Sequence, residues 1–213
     1  MTRFLVVFDV DSTLIEDEVI ELLAEAAGKR AEVSAVTERA MRGELDFAES
    51  LRERVSTLSG LDGSVIEATY ERIKITKGAR KLIDAIHASG GKVGAVSGGF
   101  NQLLSPLADL LGLDFWRANE LEVIDGKLTG RVVGEIIDRK AKASALREWA
   151  LQSGVEMGRT VAVGDGANDL DMMAVCGLSV AFNAKPKVRD EAQLVVAAQD
   201  LSQLIPVLGL STK

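Results

Sequence analysis

The sequence predicts an α/β fold: a Rossmann-like, doubly wound parallel sheet with an inserted helical cap and a β-hairpin. Short apolar runs rich in β-branched residues recur along the chain, and segments with helical periodicity lie between them. Residues 16–75 break this alternation, because they are charged, helical in pattern and without a strand candidate. We therefore expect a core domain of residues 1–15 and 76–213 and a helical cap domain of residues 16–75.

The apolar runs are the predicted core strands, because continuous runs of this length are typical of strands buried on both faces of a sheet. They comprise residues 4–8, 93–96, 160–163, 178–182 and 194–197. The intervening segments with helical periodicity comprise residues 79–88, 100–111, 143–151 and 169–175.

Turn-forming residues complete the predicted layout. Asp125 and Gly126 form a strong two-residue turn signal between alternating residues, so we expect a β-hairpin over residues 121–133. In the predicted cap, breaks between helices are expected near Gly28, near Gly43 and at residues 60–63.

Composition limits the class of protein. The 213 residues are 47% hydrophobic, which suffices for one core domain with a modest insertion. A formal net charge of −7 argues against a nucleic-acid partner but not against a small anionic substrate. The single cysteine, Cys176, fits a reducing cytoplasm, and the first apolar stretch is too short for a signal peptide or a membrane span. We expect a cytoplasmic protein without a membrane partner, either a monomer or a homodimer.

Two aspartates follow the first predicted strand. Asp9 and Asp11 stand at its carboxyl end, where open α/β sheets bind ligands, and alternate extended residues project to one side. Carboxylates that close repel each other unless a cation or a proton intervenes. Taken alone, the pair fits equally well a strand end followed by a helix cap.

A second acidic pair favours a metal site. Asp165 ends the strand at residues 160–163, and Asp169 follows four residues later. If this strand lies beside the first one, four carboxylates converge on one site, and such oxygen ligands favour magnesium. The alternative is a loop whose Asp and Asn side chains only cap a helix. The loop matches neither a dinucleotide fingerprint nor a calcium-binding EF loop.

Two further elements suit a phosphate. Ser97 offers a hydroxyl after the strand at residues 93–96, and Gly98 and Gly99 let backbone N–H groups approach an anion. Lys142, at the start of the predicted helix at residues 143–151, offers a positive charge. Separately, such a loop is often only a tight turn, and such a lysine is usually solvated.

Together these elements resemble the haloacid dehalogenase superfamily of phosphatases. The shared order is Asp-x-Asp-Ser/Thr, then Ser, then Lys, then Gly-Asp-x-x-x-Asp, and it extends from Asp9 to Asp169. Stretches around Glu18, at 41–47 and at 51–56 are similar to the branch that hydrolyses phosphoserine. The resemblance implies a magnesium-dependent phosphatase that releases serine and phosphate in the last step of serine biosynthesis.

The resemblance also implies roles for individual residues. Asp9 would form an aspartyl-phosphate, and Asp11 would act as general acid and base. The Mg²⁺ ligands would be Asp9, the backbone carbonyl of Asp11 and Asp165, supported by Asp169. The phosphate would be held by Ser97, a backbone N–H near Gly98, Lys142 and Asn168.

The cap would select the substrate. Glu18 suits the ammonium group of phosphoserine, and Arg54 suits its carboxylate through a bidentate contact. Met41 and Phe47 would form an apolar wall that excludes water. Without the resemblance, exposed helix charges and cap packing are the commoner roles for such residues.

Other functions remain open at this stage. The same site fits a phosphatase for another small phosphomonoester, or a phosphotransferase that moves the group from phosphoserine to another alcohol. A signalling receiver module also clusters acids around magnesium, but the inserted cap argues against it. A non-catalytic binding protein is disfavoured because both Asp9 and Asp11 are present.

Overall fold

The computed structural model describes residues 2–41 and 44–210, and within these ranges the chain forms one seven-stranded sheet. The spatial order is β4-β3-β2-β1-β5-β6-β7, with β4 antiparallel to β3 and the other pairs parallel. The strands are β1 Leu5–Phe8, β2 Lys92–Phe100, β3 Phe115–Ile124, β4 Lys127–Val133, β5 Thr160–Gly164, β6 Leu178–Phe182 and β7 Leu194–Val196. The predicted α/β class is confirmed, and so is the hairpin, which β3 and β4 form.

Helices cover both faces of the sheet. They are α1 Val19–Ala26, α2 Arg30–Met41, α3 Phe47–Ser56, α4 Ser64–Tyr70, α5 Ala79–Ala88, α6 Asn101–Leu111, α7 Arg139–Ser153, α8 Leu170–Val175, α9 Pro186–Glu191 and α10 Leu204–Val207. Alternate residues of β1 enter different cores: Val6 and Phe8 pack with α5 and α6, whereas Leu5 and Val7 pack with α7 and α8. The sheet is therefore doubly wound, as predicted.

The pairing of β1 brings the acidic segments together. β1 lies between β2 and β5, with Phe8 opposite Ala95 on one side and Val163 on the other. The predicted neighbourhood of the first strand and the strand at 160–163 is thus confirmed. The carboxyl ends of these three strands lie at one edge of the sheet.

Three local predictions need correction. β2 continues to Phe100 with an irregularity after Val96, so residues 97–100 extend the strand instead of forming a loop after it. β3 begins at Phe115, ahead of the predicted hairpin, because its first half pairs in parallel with β2. α7 begins at Arg139, because Asp138 caps it, which places Lys142 inside its first turn.

The segment between β1 and α5 is helical, as predicted. Its helices α1 to α4 are separated by breaks at Gly28 and around residues 60–63, while Gly43 lies outside the described residues. An antiparallel bridge between Ile15 and Ile75 joins the two ends of this segment. The division into a cap domain at residues 16–75 and a core domain stays a prediction. No helix in the described ranges is long and apolar enough to cross a membrane.

Candidate active site

A cavity of about 120 Å³ opens at the carboxyl edge of the sheet, under helices α1 and α3. Residues from the ends of β1, β2 and β5 form its floor, and the helices form its roof. Its lining residues are Asp9, Asp11, Glu18, Val19, Ile20, Phe47, Leu51, Arg54, Gly98, Gly99, Asp165, Gly166, Asn168 and Lys185. Most of the predicted site residues therefore meet at one place.

Lys142 makes the central ion pairs of the site. Its Nζ donates to Asp9 Oδ1 at 2.6 Å and to Asp169 Oδ1 at 2.7 Å, and the side chain is fully buried. The Asp138 side chain accepts hydrogen bonds from the backbone N–H groups of Lys140 and Ala141 and so fixes the first turn of α7, from which Lys142 extends. Gly164 allows the arrangement, because a Cβ at this position would overlap the Asp169 carboxylate.

Three carboxylates form a site that can hold a cation. One oxygen from each of Asp9, Asp165 and Asp169 lies within 4.8 Å of the others, and all three residues are buried. Both Lys142 and the Val10 N–H donate to Asp9 Oδ1, which leaves Oδ2 available for a ligand. A hard divalent cation fits this donor set, because it consists of carboxylate oxygens.

Asp11 faces a different part of the cavity. Its Oδ1 accepts a hydrogen bond from the Val19 N–H at 2.7 Å, and its Oδ2 accepts one from the Ser97 hydroxyl at 2.8 Å. The Ser97 oxygen in turn accepts from the Gly99 N–H at 2.7 Å. The carboxylate of Asp11 therefore does not join the cluster of Asp9, Asp165 and Asp169, although it lines the same cavity.

Burial shifts the acid–base properties of the cluster. It raises the pKa of Asp9 well above the usual range, aided by Asp169 and opposed by Lys142. It also raises the pKa of Asp165 to about 6, again with help from Asp169. Burial alone would lower the pKa of Lys142, but Asp169 and Asp9 together raise it above its usual value. Lys142 is therefore an ammonium ion, and it compensates part of the negative charge around it.

The pKa of Asp11 is raised for a related reason. Burial raises it, while the hydrogen bonds from the Val19 N–H and the Ser97 hydroxyl oppose the change. A carboxyl group with a raised pKa holds its proton more readily at neutral pH. Asp11 is thus better suited than an exposed aspartate to donate a proton.

Glu18 and Arg54 both line the cavity on the side of helices α1 and α3. Burial of the Glu18 carboxylate, reinforced by Asp11, raises its pKa to about 7, although part of the side chain is exposed. Glu18 accepts a hydrogen bond from the Ser12 hydroxyl at 2.8 Å. Arg54 is half-buried, and its burial lowers the pKa of the guanidinium while Glu18 opposes that shift.

The remaining predicted residues lie at the edges of the cavity. Phe47 packs over Gly98, where an added Cβ would lie 2.9 Å from its ring. Asn168 is half-buried in the short 3-10 helix Ala167–Asp169 and lines the cavity. The side chain of Met41 lies outside the described residues.

Asn119 and Lys185 are two polar residues near the site that were not predicted. Asn119 is buried in β3, where its amide donates to the Gly98 carbonyl at 2.8 Å. This hydrogen bond holds the end of β2 around Gly98 in place. Lys185 lines the cavity, and its backbone N–H donates to the Asp165 carbonyl at 3.1 Å. Lys185 follows the predicted strand at residues 178–182, so the strand-end rule could have found it. No sequence signal marks Asn119.

Comparison with known proteins agrees with this architecture. The family model for haloacid dehalogenase-like hydrolases matches residues 6–174, and the chain belongs to this family. Several curated relatives are phosphoserine phosphatases. The Streptococcus thermophilus protein of that name is 51% identical over 204 residues, which cover 96% of this chain and 95% of the relative.

Two further matches extend the comparison. Phosphoserine phosphatase SerB2 of Mycobacterium tuberculosis is 53% identical over 210 residues, and this chain spans about half of it, 51% of its length. A solved structure described as a phospho-aspartyl intermediate analogue of phosphoserine phosphatase superimposes with a TM-score of 0.91 at 41% identity. That match covers 97% of this chain and 99% of the solved one.

Replacing Lys142 by Met should strongly destabilise the metal-free protein. The change leaves Asp9 and Asp169 buried without a cation, and removing one partner of a buried ion pair costs about 3–5 kcal/mol. Lys140→Met is the matched control, because Lys140 is exposed on the same helix and its loss should change stability by about 0.5 kcal/mol or less. Urea unfolding of both variants measures the difference. Similar stabilities would show that the ion pairs contribute little.

The stabilising effect of a divalent cation should grow with pH. The pKa of Asp165 is about 6 in the folded chain and 3.8 ordinarily, so the folded state binds more protons between these values. The free energy of unfolding of the metal-free protein should therefore fall as pH rises through this window. A bound cation offsets the repulsion among the ionised carboxylates, which is larger at higher pH. Magnesium chloride should therefore raise Tm more at about pH 7.5 than at about pH 5. An equal rise in Tm at both pH values would contradict cation binding at the acidic cluster.

Proposed function

We propose that the chain is a magnesium-dependent phosphatase that hydrolyses phosphoserine through an aspartyl-phosphate on Asp9, the last step of serine biosynthesis. The observation that carries the proposal is the placement of Asp9 beside Lys142 and the other acids, with Asp11 in the same cavity but outside that cluster. The names of the relatives support the substrate, and the phospho-aspartyl analogue supports the intermediate.

In the first step, Asp9 is the nucleophile. An oxygen of its carboxylate forms a bond to phosphorus while the bond from phosphorus to the serine oxygen breaks. The ammonium group of Lys142, 2.6 Å from Oδ1, favours the ionised form of Asp9 and so opposes the rise in pKa that burial causes. Asp11 gives its proton to the departing serine oxygen, which leaves as a hydroxyl group.

In the second step, Asp11 is the base. It takes a proton from a water molecule, and the water oxygen forms a bond to phosphorus as the bond to the Asp9 oxygen breaks. The products are inorganic phosphate, the Asp9 carboxylate and protonated Asp11, which is ready for another cycle. The hydrogen bond that it accepts from the Val19 N–H fixes the carboxyl group for both transfers.

Magnesium and the polar residues of the floor complete the proposed site. Asp9, Asp165 and the Asp11 carbonyl would hold Mg²⁺, with Asp169 in support, and the bound ion supplies charge neutralisation between carboxylate and phosphate. Lys142, Asn168, the Ser97 hydroxyl and the N–H of Gly98 would hold the phosphoryl oxygens. Ser97 would then donate to phosphate in place of Asp11.

Helices α1 to α4 act in this proposal as a cap that selects phosphoserine. Glu18 accepts from the substrate ammonium, and Arg54 binds its carboxylate. Phe47 closes the apolar side of the cavity. We further propose that the enzyme is cytoplasmic, which its single cysteine supports, and that it is a monomer or a homodimer.

A panel of phosphate esters tests the proposed activity. We expect phosphate release to require Mg²⁺ and to be fastest, judged by kcat/KM, for phosphoserine among phosphoserine, sugar phosphates and an aryl phosphate. A kcat/KM for a sugar phosphate that is tenfold or more above the value for phosphoserine would refute phosphoserine as the substrate. Release of serine without an equal amount of phosphate, in the presence of a second alcohol, would indicate a phosphotransferase.

Replacing Arg54 by Ala should impair phosphoserine hydrolysis selectively. Loss of a bidentate contact to a carboxylate costs about 2 kcal/mol or more, which is roughly a thirtyfold fall in kcat/KM. An aryl phosphate has no such carboxylate and should lose much less. Arg52→Ala is the control, because Arg52 is exposed on the same helix. Equal losses with both substrates would remove Arg54 from the specificity role.

A further inference from the structure

The β3–β4 hairpin pairs with the turn that follows α3. The Gly60 N–H donates to the Leu128 carbonyl at 2.8 Å, and the Leu128 N–H donates to the Leu61 carbonyl at 2.9 Å. The Gly63 N–H donates to the Gly126 carbonyl at 2.7 Å. An antiparallel bridge between residues 62 and 127 belongs to the same ladder. The segment at 60–63 is therefore held against the hairpin by antiparallel backbone hydrogen bonds.

Side chains also connect the turn after α3 to the hairpin, and this contact is called the joint below. The Ser59 hydroxyl donates to the Thr129 carbonyl at 3.0 Å. Val55, Leu58 and Leu128 are buried in one apolar cluster, so the last turn of α3 packs on the hairpin. The joint combines backbone pairing with apolar burial, and both restrict movement of the helix end.

Gly130 permits this close approach. Its φ is +82°, and a Cβ there would lie 2.8 Å from the Ser59 Cβ and 3.2 Å from the Ser56 carbonyl oxygen. Gly134 has a similar φ of +78°, but no atom lies within 4 Å of its ideal Cβ position. Both glycines have a left-handed backbone conformation, which glycine adopts without strain. Only Gly130 lies against the end of α3.

The helix held by this joint carries the roof of the cavity. Arg54 lies in the last turn of α3, five positions before Ser59, which corresponds to about 8 Å along a helix. The Thr57 hydroxyl donates to the Arg54 carbonyl at 2.7 Å and so fixes the backbone between the two points. At the other end of α3, Phe47 packs over Gly98.

We propose that the hairpin is a specificity-positioning element: through Gly130 it seats α3 so that Arg54 reaches the substrate carboxylate. This inference rests on the proposed function of Arg54. Gly130 and Ser59 touch no substrate and act only through the position of the helix. Because a displacement of about 1 Å can cost a hundredfold in rate, a methyl group inserted at the joint is sufficient to disturb binding.

The test compares Gly130→Ala with Gly134→Ala. Both variants strain a left-handed residue, but only the first inserts a methyl group against α3. For Gly130→Ala we expect kcat/KM for phosphoserine to fall by about tenfold, mainly through KM, and kcat/KM for an aryl phosphate to change less than about threefold. Gly134→Ala should change neither value by more than about threefold. Ser59→Ala, which removes one hydrogen bond, should shift the same ratio in the same direction by a smaller factor.

The ratio of the two substrates decides the outcome. Equal losses on phosphoserine and aryl phosphate, or an unchanged ratio in both Gly130→Ala and Ser59→Ala, would overturn the proposal. If Gly130→Ala does not fold, the ratio in Ser59→Ala decides. A wild-type protein that prefers another ester would refute the proposed substrate separately, since that result is read before any hairpin variant is made.

Discussion

Lys142 is buried between Asp9 and Asp169, and the acidic floor of the site depends on these ion pairs. Taking one charge out of water costs several kcal/mol, so a buried ammonium ion is stable only if its partners are held close to it. Its partners come from segments 133 and 27 residues away along the chain. These ion pairs thereby join the start of α7 to the end of β1 and to the segment after β5, and the last two segments contribute to the cavity floor.

The same arrangement leaves the cluster short of positive charge. Asp9, Asp165 and Asp169 share one ammonium group, and burial raises the pKa of both Asp9 and Asp165. A divalent cation would offset this repulsion without protonating the acids, and in the proposed mechanism this keeps Asp9 available as a nucleophile. The Asp11 carboxylate lies outside the cluster and accepts its hydrogen bonds from the Val19 N–H and the Ser97 hydroxyl. In the proposed mechanism the two aspartates therefore have different roles, Asp9 as nucleophile and Asp11 as general acid and base.

Much of this could be predicted from the sequence, because buried parallel strands produce continuous apolar runs and their carboxyl ends collect polar residues. Asp9, Asp165 and Ser97 were found by this rule, and it would also have found Lys185. Asn119 could not be found, because its role depends on a strand whose first half carries no clear pattern. Burial of Lys142 and the helix start at Arg139 depend on tertiary contacts and on the cap at Asp138. Glu18 and Arg54 look like ordinary surface charges, so only resemblance to a family singled them out.

The central claim is that Asp9 carries the phosphoryl group during turnover. Acid quenching during steady-state hydrolysis of phosphoserine with magnesium, followed by borohydride reduction and peptide mass spectrometry, tests it directly, because borohydride reduces an acyl phosphate to an alcohol. We expect Asp9 to be converted to homoserine only when substrate and Mg²⁺ are present. The Asp9→Asn variant should form no homoserine and should not hydrolyse phosphoserine. Full turnover without modification at Asp9, or modification at another carboxylate, would contradict it.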